Sequence, residues 1–486
     1  MITNDQGILR FKHSIFDEIC RLAFNGELNE KTKEELPYKI IEGPKPVYRC
    51  CIYKEREIVK QRINLATGNS VTDKKETNNI IQVINAACDE CPISAYSVTD
   101  NCRFCLGHPC ESSCKFGALK KGEFRMIIDG NKCKECGMCA KACPFQAIVH
   151  LERPCKRSCP AGAISYDENG YCIIDEAKCI RCGHCIHSCP FGAISSKSYL
   201  VQVISALREK KEIYLMFAPA TEGQFGKISM SSLKKATKEL GFADMVEVGL
   251  GGDMTAASES IEWSKAKIEN KKLTTSCCPA FVNMLKKQFN ELYKNNMSKT
   301  ISPMCAVSRY LKTIHPNCMT VFVGPCVAKK SEAMEMNIKN NADYVLTYGE
   351  FRSILRAKNI TLQEADYDYQ EASIYGKKFG NSGGVAECVL ECMKERGEDT
   401  SHITYVRASG GDECRKALLM MKMGKMNEDF IEGMICQGGC VGGPSKHLTE
   451  IEIKNARKEL LEKADNRKVL ENLSKYPMDK FSMERD

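Results

Sequence analysis

The sequence predicts an α/β domain over residues 199–486 with a cofactor site at the carboxyl ends of its strands, preceded by a smaller, cysteine-rich α+β domain. Three observations support this division. Cysteines number 30 among 486 residues, dense and regularly spaced from Cys88 to Cys189 but sparse and set in hydrophobic segments beyond residue 199. Strand-like runs followed by amphipathic helices recur in the second region, the pattern of a parallel sheet covered by helices. Three of those runs end in cysteines, so their thiols can meet in the crevice beyond the strand ends. The expected boundaries are residues 1–80, of unassigned role, 81–124, a cysteine-rich segment, 125–198, the most regular cysteine repeat, and 199–486.

Composition excludes several classes of protein. Hydrophobic residues make up 43% of the chain, enough for real cores, and at roughly 150 residues per domain the length allows about three domains. No run approaches the roughly 18 apolar residues of a membrane span. The opening MITNDQGILRFKHSIFDE lacks an apolar core with a small-residue cleavage site, so a cytoplasmic protein with no membrane span is expected. In a reducing compartment this many cysteines point to metal ligation and thiol chemistry rather than to disulfides. Lys and Arg number 70 against 62 Asp and Glu, a net charge of +8 spread without a polybasic block. With one Trp and no aromatic–basic interleaving, nucleic acid is not an expected partner. A mild positive field suits docking of an acidic electron carrier.

The dense region contains an internal repeat. KCKECGMCAKACPFQAI supplies Cys133, Cys136, Cys139 and Cys143, and KCIRCGHCIHSCPFGAI supplies Cys179, Cys182, Cys185 and Cys189. Both read C-x2-C-x2-C-x3-C-P, the run in which three thiolates wrap one 4Fe-4S cube while the fourth ligates the cube of the other repeat. Zinc sites use pairs of C-x2-C and gain nothing from triplets. The expected sets are therefore Cys133, Cys136, Cys139 with Cys189, and Cys179, Cys182, Cys185 with Cys143. Residues 125–198 resemble a bacterial two-cluster ferredoxin with an insertion between its halves.

The same tail recurs as CKFGAL from Cys114 and CPAGAI from Cys159, each preceded by a further cysteine, Cys110 and Cys155. With Cys88, Cys91, Cys102 and Cys105 these make eight more thiols, enough for two further cubes, or for one cube with spare thiols. The sequence leaves their pairing open. Cys20, Cys50, Cys51 and Cys172 fit no spacing and read as ordinary thiols. Several clusters in a line form an electron wire, and something at its far end must consume the electrons.

In the second region EIYLMFAP predicts a strand and SSLKKATKELG a helix, with Leu233, Ala236 and Leu240 on one face and Gly241 as the stop. LTTS leads to Cys277 and Cys278, MTVFVGP to Cys326, and DFIEGMI to Cys436 and Cys440. Pro279 suits the first turn of a helix after the double cysteine.

Here the residues carry a second resemblance. TSCCPAF, GPCVAKKSEA and GMICQGGCVGG are similar to the three signature motifs of the iron–iron hydrogenases, over roughly residues 215 to 450. The resemblance implies an H-cluster at the strand ends: a 4Fe-4S cube joined through one cysteine to a two-iron unit bearing carbon monoxide, cyanide and a dithiolate bridge. It implies Cys278, Cys326, Cys436 and Cys440 as cube ligands, with Cys440 the bridge, and the reversible reaction 2H+ + 2e- = H2. Cys277 is implied as the proton-passing thiol, a role that suits a small group with an ordinary pKa near ~8.5. Lys329 is implied as a donor to a cyanide ligand, whereas its neighbour Lys330 reads as solvated. Glu259 and Glu262, on one helical face at i and i+3, and Ser298 are implied as the proton path to solvent. Met434 and Phe379 match cluster-packing positions, although core packing explains such residues equally well.

Some positions depart from the better-known pattern. The third motif continues as GGPSKH, Ala218–Ala220 lacks a serine, Met304 and Cys305 stand where glutamines are common, Gly324 precedes Pro325 and Cys326, and Phe281 replaces a tryptophan. These features resemble a branch with a modified third motif; the ligand cysteines are intact. GLGGD is too short for a nucleotide-binding loop, so electrons are expected from a ferredoxin or another electron carrier. Hydrogenase maturation proteins are further implied partners, and the setting is anaerobic. The alternative functions are a hydrogenase-like redox sensor and an iron–sulfur assembly or electron-transfer protein without turnover.

Overall fold

A computed structural model describes residues 3–71, 79–89, 91, 95–363 and 369–485. The C-terminal region is built on two parallel sheets. One has four strands in the order Asp244–Glu247, Ile213–Phe217, Met319–Gly324, Tyr344–Thr347. The other has three, Leu273–Thr274, Phe430–Met434 and Tyr405–Ser409 in that order. Ile213–Phe217 and Phe430–Met434 are apolar nearly throughout and almost wholly buried, as strands covered on both faces must be. The expected helix forms as Met230–Glu239, with the Ser229 side chain accepting from the Ser232 N–H.

The longest helix here, Val248–Ile268, places the site. Its first three turns are buried and cross the helices Pro303–Ile314 and Gly384–Glu395. The crossing is close because Gly251 has no side chain: a Cβ there would meet the Pro303 carbonyl oxygen at 2.2 Å. Further along, Trp263 stacks on Phe430 with ring centroids 3.9 Å apart and 8° between planes. This pins the helix, and with it Glu259 and Glu262, against a central strand.

Residues 1–80 contain the helices Thr3–Asn25, Glu30–Ile40 and Ile52–Ala66. The first packs along Tyr348–Ala357 and Leu200–Arg208, tied by the Arg356–Asp17 ion pair at 2.8 Å, so this segment braces the C-terminal region. Cys20 is buried there among apolar side chains, an ordinary core thiol as expected.

The dense cysteine region divides differently from the expected 81–124 and 125–198. Ile81–Val83 pairs antiparallel with Ile194–Ser196, and Tyr96–Val98 pairs with Ile148–His150. Short ribbons Leu119–Lys121 with Met126–Ile128, and Ile164–Tyr166 with Cys172–Ile174, complete two units. One unit spans residues 96–150. The other is made of residues 81–91 and 153–196, with the first unit inserted between. Residue 124 lies in the hairpin of the first unit rather than at a boundary. Among the described residues no helix is long and apolar enough to cross a membrane.

Candidate metal centres

Each unit gathers eight thiols in two groups. In the first, Cys102, Cys105, Cys110 and Cys143 line one cavity, and Cys114, Cys133, Cys136 and Cys139 line another. In the second, Cys88, Cys91, Cys155 and Cys189 are electrostatic neighbours, as are Cys159, Cys179, Cys182 and Cys185. This corrects the expected sets: Cys189 joins Cys88, Cys91 and Cys155, not Cys133, Cys136 and Cys139, and Cys143 joins Cys102, Cys105 and Cys110, not Cys179, Cys182 and Cys185. The fourth cysteine of each C-x2-C-x2-C-x3-C run does lie apart from its own triplet, but it groups with the degenerate run of its own unit. Strand pairing decides this, because Ile194–Ser196, just after Cys189, is held against Ile81–Val83, just before Cys88.

The backbone around these thiols is prepared for negative charge. The N–H groups of Ala118, Ala147, Ala163 and Ala193 donate to Cys114, Cys143, Cys159 and Cys189 at 3.3–3.4 Å. Each turn needs a left-handed residue three positions after the cysteine, and Gly117, Gly162 and Gly192 supply it. Gln146 takes the same conformation at φ 49, against the preference of a residue with a Cβ. No group of three His, Cys, Asp or Glu among the described residues converges on a single-ion site. A cube takes its four thiolates at separate iron corners and does not need that convergence.

Beyond the wire, the three expected loops meet. Cys278 precedes the helix Pro279–Gln288, Cys326 follows Met319–Gly324, Cys436 follows Phe430–Met434, and Cys440 opens a short helical turn. All four keep partial exposure and are electrostatic neighbours of one another. Burial, then the Cys278 thiol, pushes Cys326 up to about 11. Burial, then Cys326 and Cys278, pushes Cys440 up to about 12, and the same causes raise Cys436 well above the thiol range. Free thiols here would keep their protons, whereas a metal core displaces them outright. The donor set therefore fits a cube. Cys182 lies close enough to act on Cys436, which places the group of Cys159, Cys179, Cys182 and Cys185 next to this centre.

Cys277 is buried and belongs to the same core cluster as Phe379 and Met434. Burial, then the Glu259 carboxylate, raises its thiol well above the ordinary range. Glu259 is itself buried, and burial followed by Glu262 pushes its carboxyl up to about 8. Its Oε1 accepts from the Ser276 N–H at 3.2 Å, while Oε2 has no hydrogen-bond partner. Ser298 lies close enough to act on Glu259 and donates its hydroxyl to Glu262 Oε1 at 3.1 Å. Glu262 is partly exposed and accepts from the Thr300 N–H at 3.0 Å and the Lys299 N–H at 3.1 Å. The sequence-predicted carboxylates and hydroxyl thus form one chain from beside Cys277 toward the surface.

Lys329 is buried, with Nζ 2.6 Å from Glu332 Oε2 and 2.7 Å from Ser302 Oγ. Burial lowers its pKa, but Glu332 outweighs burial and the net shift is upward. Lys330 is not solvated: it is fully buried, 2.8 Å from Glu350 Oε1. Glu332 and Arg485 went unread in the sequence. Arg485 folds back from the chain end to donate to the Ser276 carbonyl at 3.0 Å, and no motif marks it.

Residues 211–444 match the family model described as iron only hydrogenase large subunit, C-terminal domain. Those residues form an iron-only hydrogenase domain by this match. In front of this hydrogenase domain, residues 126–149 match a 4Fe-4S binding domain and 149–200 the LdpA Fe-S cluster-binding domain. Iron hydrogenase 1 of Clostridium pasteurianum is 28% identical, over 97% of this chain and 91% of the relative. A probable cytosolic Fe-S cluster assembly factor of Brugia malayi is 23% identical, over 46% of this chain and 58% of the relative. A solved FeFe hydrogenase structure aligns with a TM-score of 0.47 at 21% identity, over 57% of this chain and 93% of that one. The ferredoxin-like units precede the α/β hydrogenase domain, and the three cysteine loops lie inside the matched segment.

Proposed function

We propose that this chain is a cytoplasmic hydrogenase catalysing 2H+ + 2e- = H2 reversibly at an H-cluster held by Cys278, Cys326, Cys436 and Cys440. Four 4Fe-4S cubes, one in each of the four thiol groups, feed it with electrons from a ferredoxin or similar carrier, and maturation proteins insert the two-iron unit. The observation that carries the reading is the succession of Cys277, Glu259, Ser298 and Glu262 leading outward from beside the four thiols. An electron carrier or assembly scaffold has no use for buried carboxyls that hold protons near neutrality.

When bound, the H-cluster supplies an open iron site at which protons and electrons combine. The protein's own residues move the proton. Cys277 presents a thiol in an apolar pocket, and Glu259, protonated below about 8, holds the proton behind it. Its unpartnered Oε2 is the free acceptor for transfer with the thiol. Ser298 joins Glu259 to Glu262 and so passes the proton to the rim. Lys329, held by Glu332 and Ser302, keeps its positive charge, and its third donor, spent loosely on the Cys277 carbonyl at 3.4 Å, can turn toward an anionic ligand of the two-iron unit.

The test is maturation under anaerobic conditions. Chain carrying cubes alone should be brown and inert toward hydrogen. Loading the two-iron complex should give infrared bands of metal-bound carbon monoxide and cyanide and switch on hydrogen evolution and uptake. A loaded protein that shows the bands but no turnover with any mediator would be a sensor, and the enzymatic reading would fall.

A further inference from the structure

The two ferredoxin-like units repeat one fold, so equivalent positions show what each adds to its clusters. In the ribbon of the first unit Lys121 stands opposite Met126; in the second, Tyr166 stands opposite Cys172. Cys110 and Cys155 are the equivalent ligand thiols, each four residues before the tail cysteine, Cys114 or Cys159. In the second unit the ribbon lies against this ligand. Cys172, buried, outside every ligand spacing and paired with Tyr166 in the ribbon, lies within electrostatic reach of Cys155. The Tyr166 hydroxyl lies 3.9 Å from Cys155 Sγ. The Cys172 N–H donates to Cys88 Sγ at 3.4 Å, so this strand end touches two ligands of one group. Arg153 fixes the arrangement, with its guanidinium 3.8 Å from the Tyr166 ring centroid and bonded to the Gly170 carbonyl. In the first unit the facing pair is an ammonium side chain and a thioether, and a thioether has no proton to donate.

We propose that Cys172 and Tyr166 are potential-setting residues, donating S–H and O–H hydrogen bonds to the Cys155 ligand and raising the reduction potential of the cluster held by Cys88, Cys91, Cys155 and Cys189. This rests on the reading that each thiol group holds a cube. Once Cys155 is bound to iron it can only accept, so the protons of these bonds belong to Cys172 and Tyr166. Donors to a ligand sulfur favour the reduced cluster, which carries one more negative charge. The equivalent cluster of the first unit, on Cys102, Cys105, Cys110 and Cys143, lacks these donors and has the lower potential. An electron entering through the first unit therefore settles in the second, whose other thiol group adjoins the catalytic centre.

Redox titration followed by electron paramagnetic resonance, on the full chain with cubes but no two-iron unit, tests this apart from hydrogen chemistry. Cys172→Ala should make reduction of one cube about tenfold less favourable, a fall of about 59 mV for a one-electron couple, with iron content unchanged. Tyr166→Phe should shift the same cube in the same direction by less. Cys172→Ser retains a donor and should stay near the wild-type value, which excludes loss of packing as the cause. Met126→Cys should raise the potential of one cube in the other unit. Unshifted potentials in Cys172→Ala with full iron overturn the proposal, as does loss of a cube from that variant, which would make Cys172 a ligand. Absence of cubes from the unsubstituted chain overturns the cluster reading and this proposal together.

Discussion

Lys329 and Glu332 form an ion pair of 2.6 Å with 9% and 1% of their side chains exposed, within the helix that follows the Cys326 loop. Removing one member leaves the other charge buried. Glu332→Ala should cost roughly 3–5 kcal/mol of unfolding free energy by denaturant titration of anaerobic protein. The double change Lys329→Met with Glu332→Leu should recover most of that stability, because two apolar side chains carry no unpaired charge. It should still fail to hold the two-iron unit. A loss under ~1 kcal/mol for the single variant would place the pair among weak, solvent-screened bridges.

Cys277→Ser should take up the full H-cluster, judged by infrared bands, yet lose roughly 10²–10⁴-fold in turnover, since a hydroxyl exchanges protons far less readily than a thiol. Near-normal evolution by this variant would remove Cys277 from the path.

Glu259 gives a pH dependence with a definite sign. Folding raises its carboxyl from 4.5 to about 8, so the native state binds the extra proton between those values. Its contribution to stability is full below 4.5 and falls by a few kcal/mol as pH climbs to about 8. Glu259→Gln should flatten that stretch of the stability curve, measured by chemical unfolding at several pH values. Hydrogen evolution limited by proton delivery should decline as pH passes about 8 in the wild type, and Glu259→Gln should be slow throughout. A stability curve unchanged by the substitution would show that Glu259 ionises normally.

Iron analysis counts the wire. Five cubes and a two-iron unit give about 22 irons per matured chain, and three cubes with the two-iron unit give about 14. Cys110→Ala and Cys155→Ala should each alter the spectrum of a different cube, because the two thiols lie in separate groups. A count near ~14, with spectra insensitive to both changes, would leave those thiols as structural cysteines.

The local part of this protein was legible in its residues. C-x2-C-x2-C-x3-C-P marks a cluster loop because the turn and its N–H···S bonds are completed within about a dozen neighbouring residues, and Cys277, Cys278, Cys326, Cys436 and Cys440 could be found because each follows a strand that announces itself by apolar run and turn. Partnership across the chain was not legible. Cys189 belongs with Cys88 because Ile81–Val83 hydrogen-bonds Ile194–Ser196 over a whole inserted unit, and two equally good thiol runs offer no local signal for choosing between partners. Lys329 and Lys330 look alike as letters, yet one faces Glu332 and the other Glu350, since a helix turns each successive residue by about 100° and the surrounding fold supplies the carboxylates. The acidity of Glu259 is likewise a tertiary property: a glutamate on a helix is ordinary until burial, and then the neighbouring Glu262, make its charge costly.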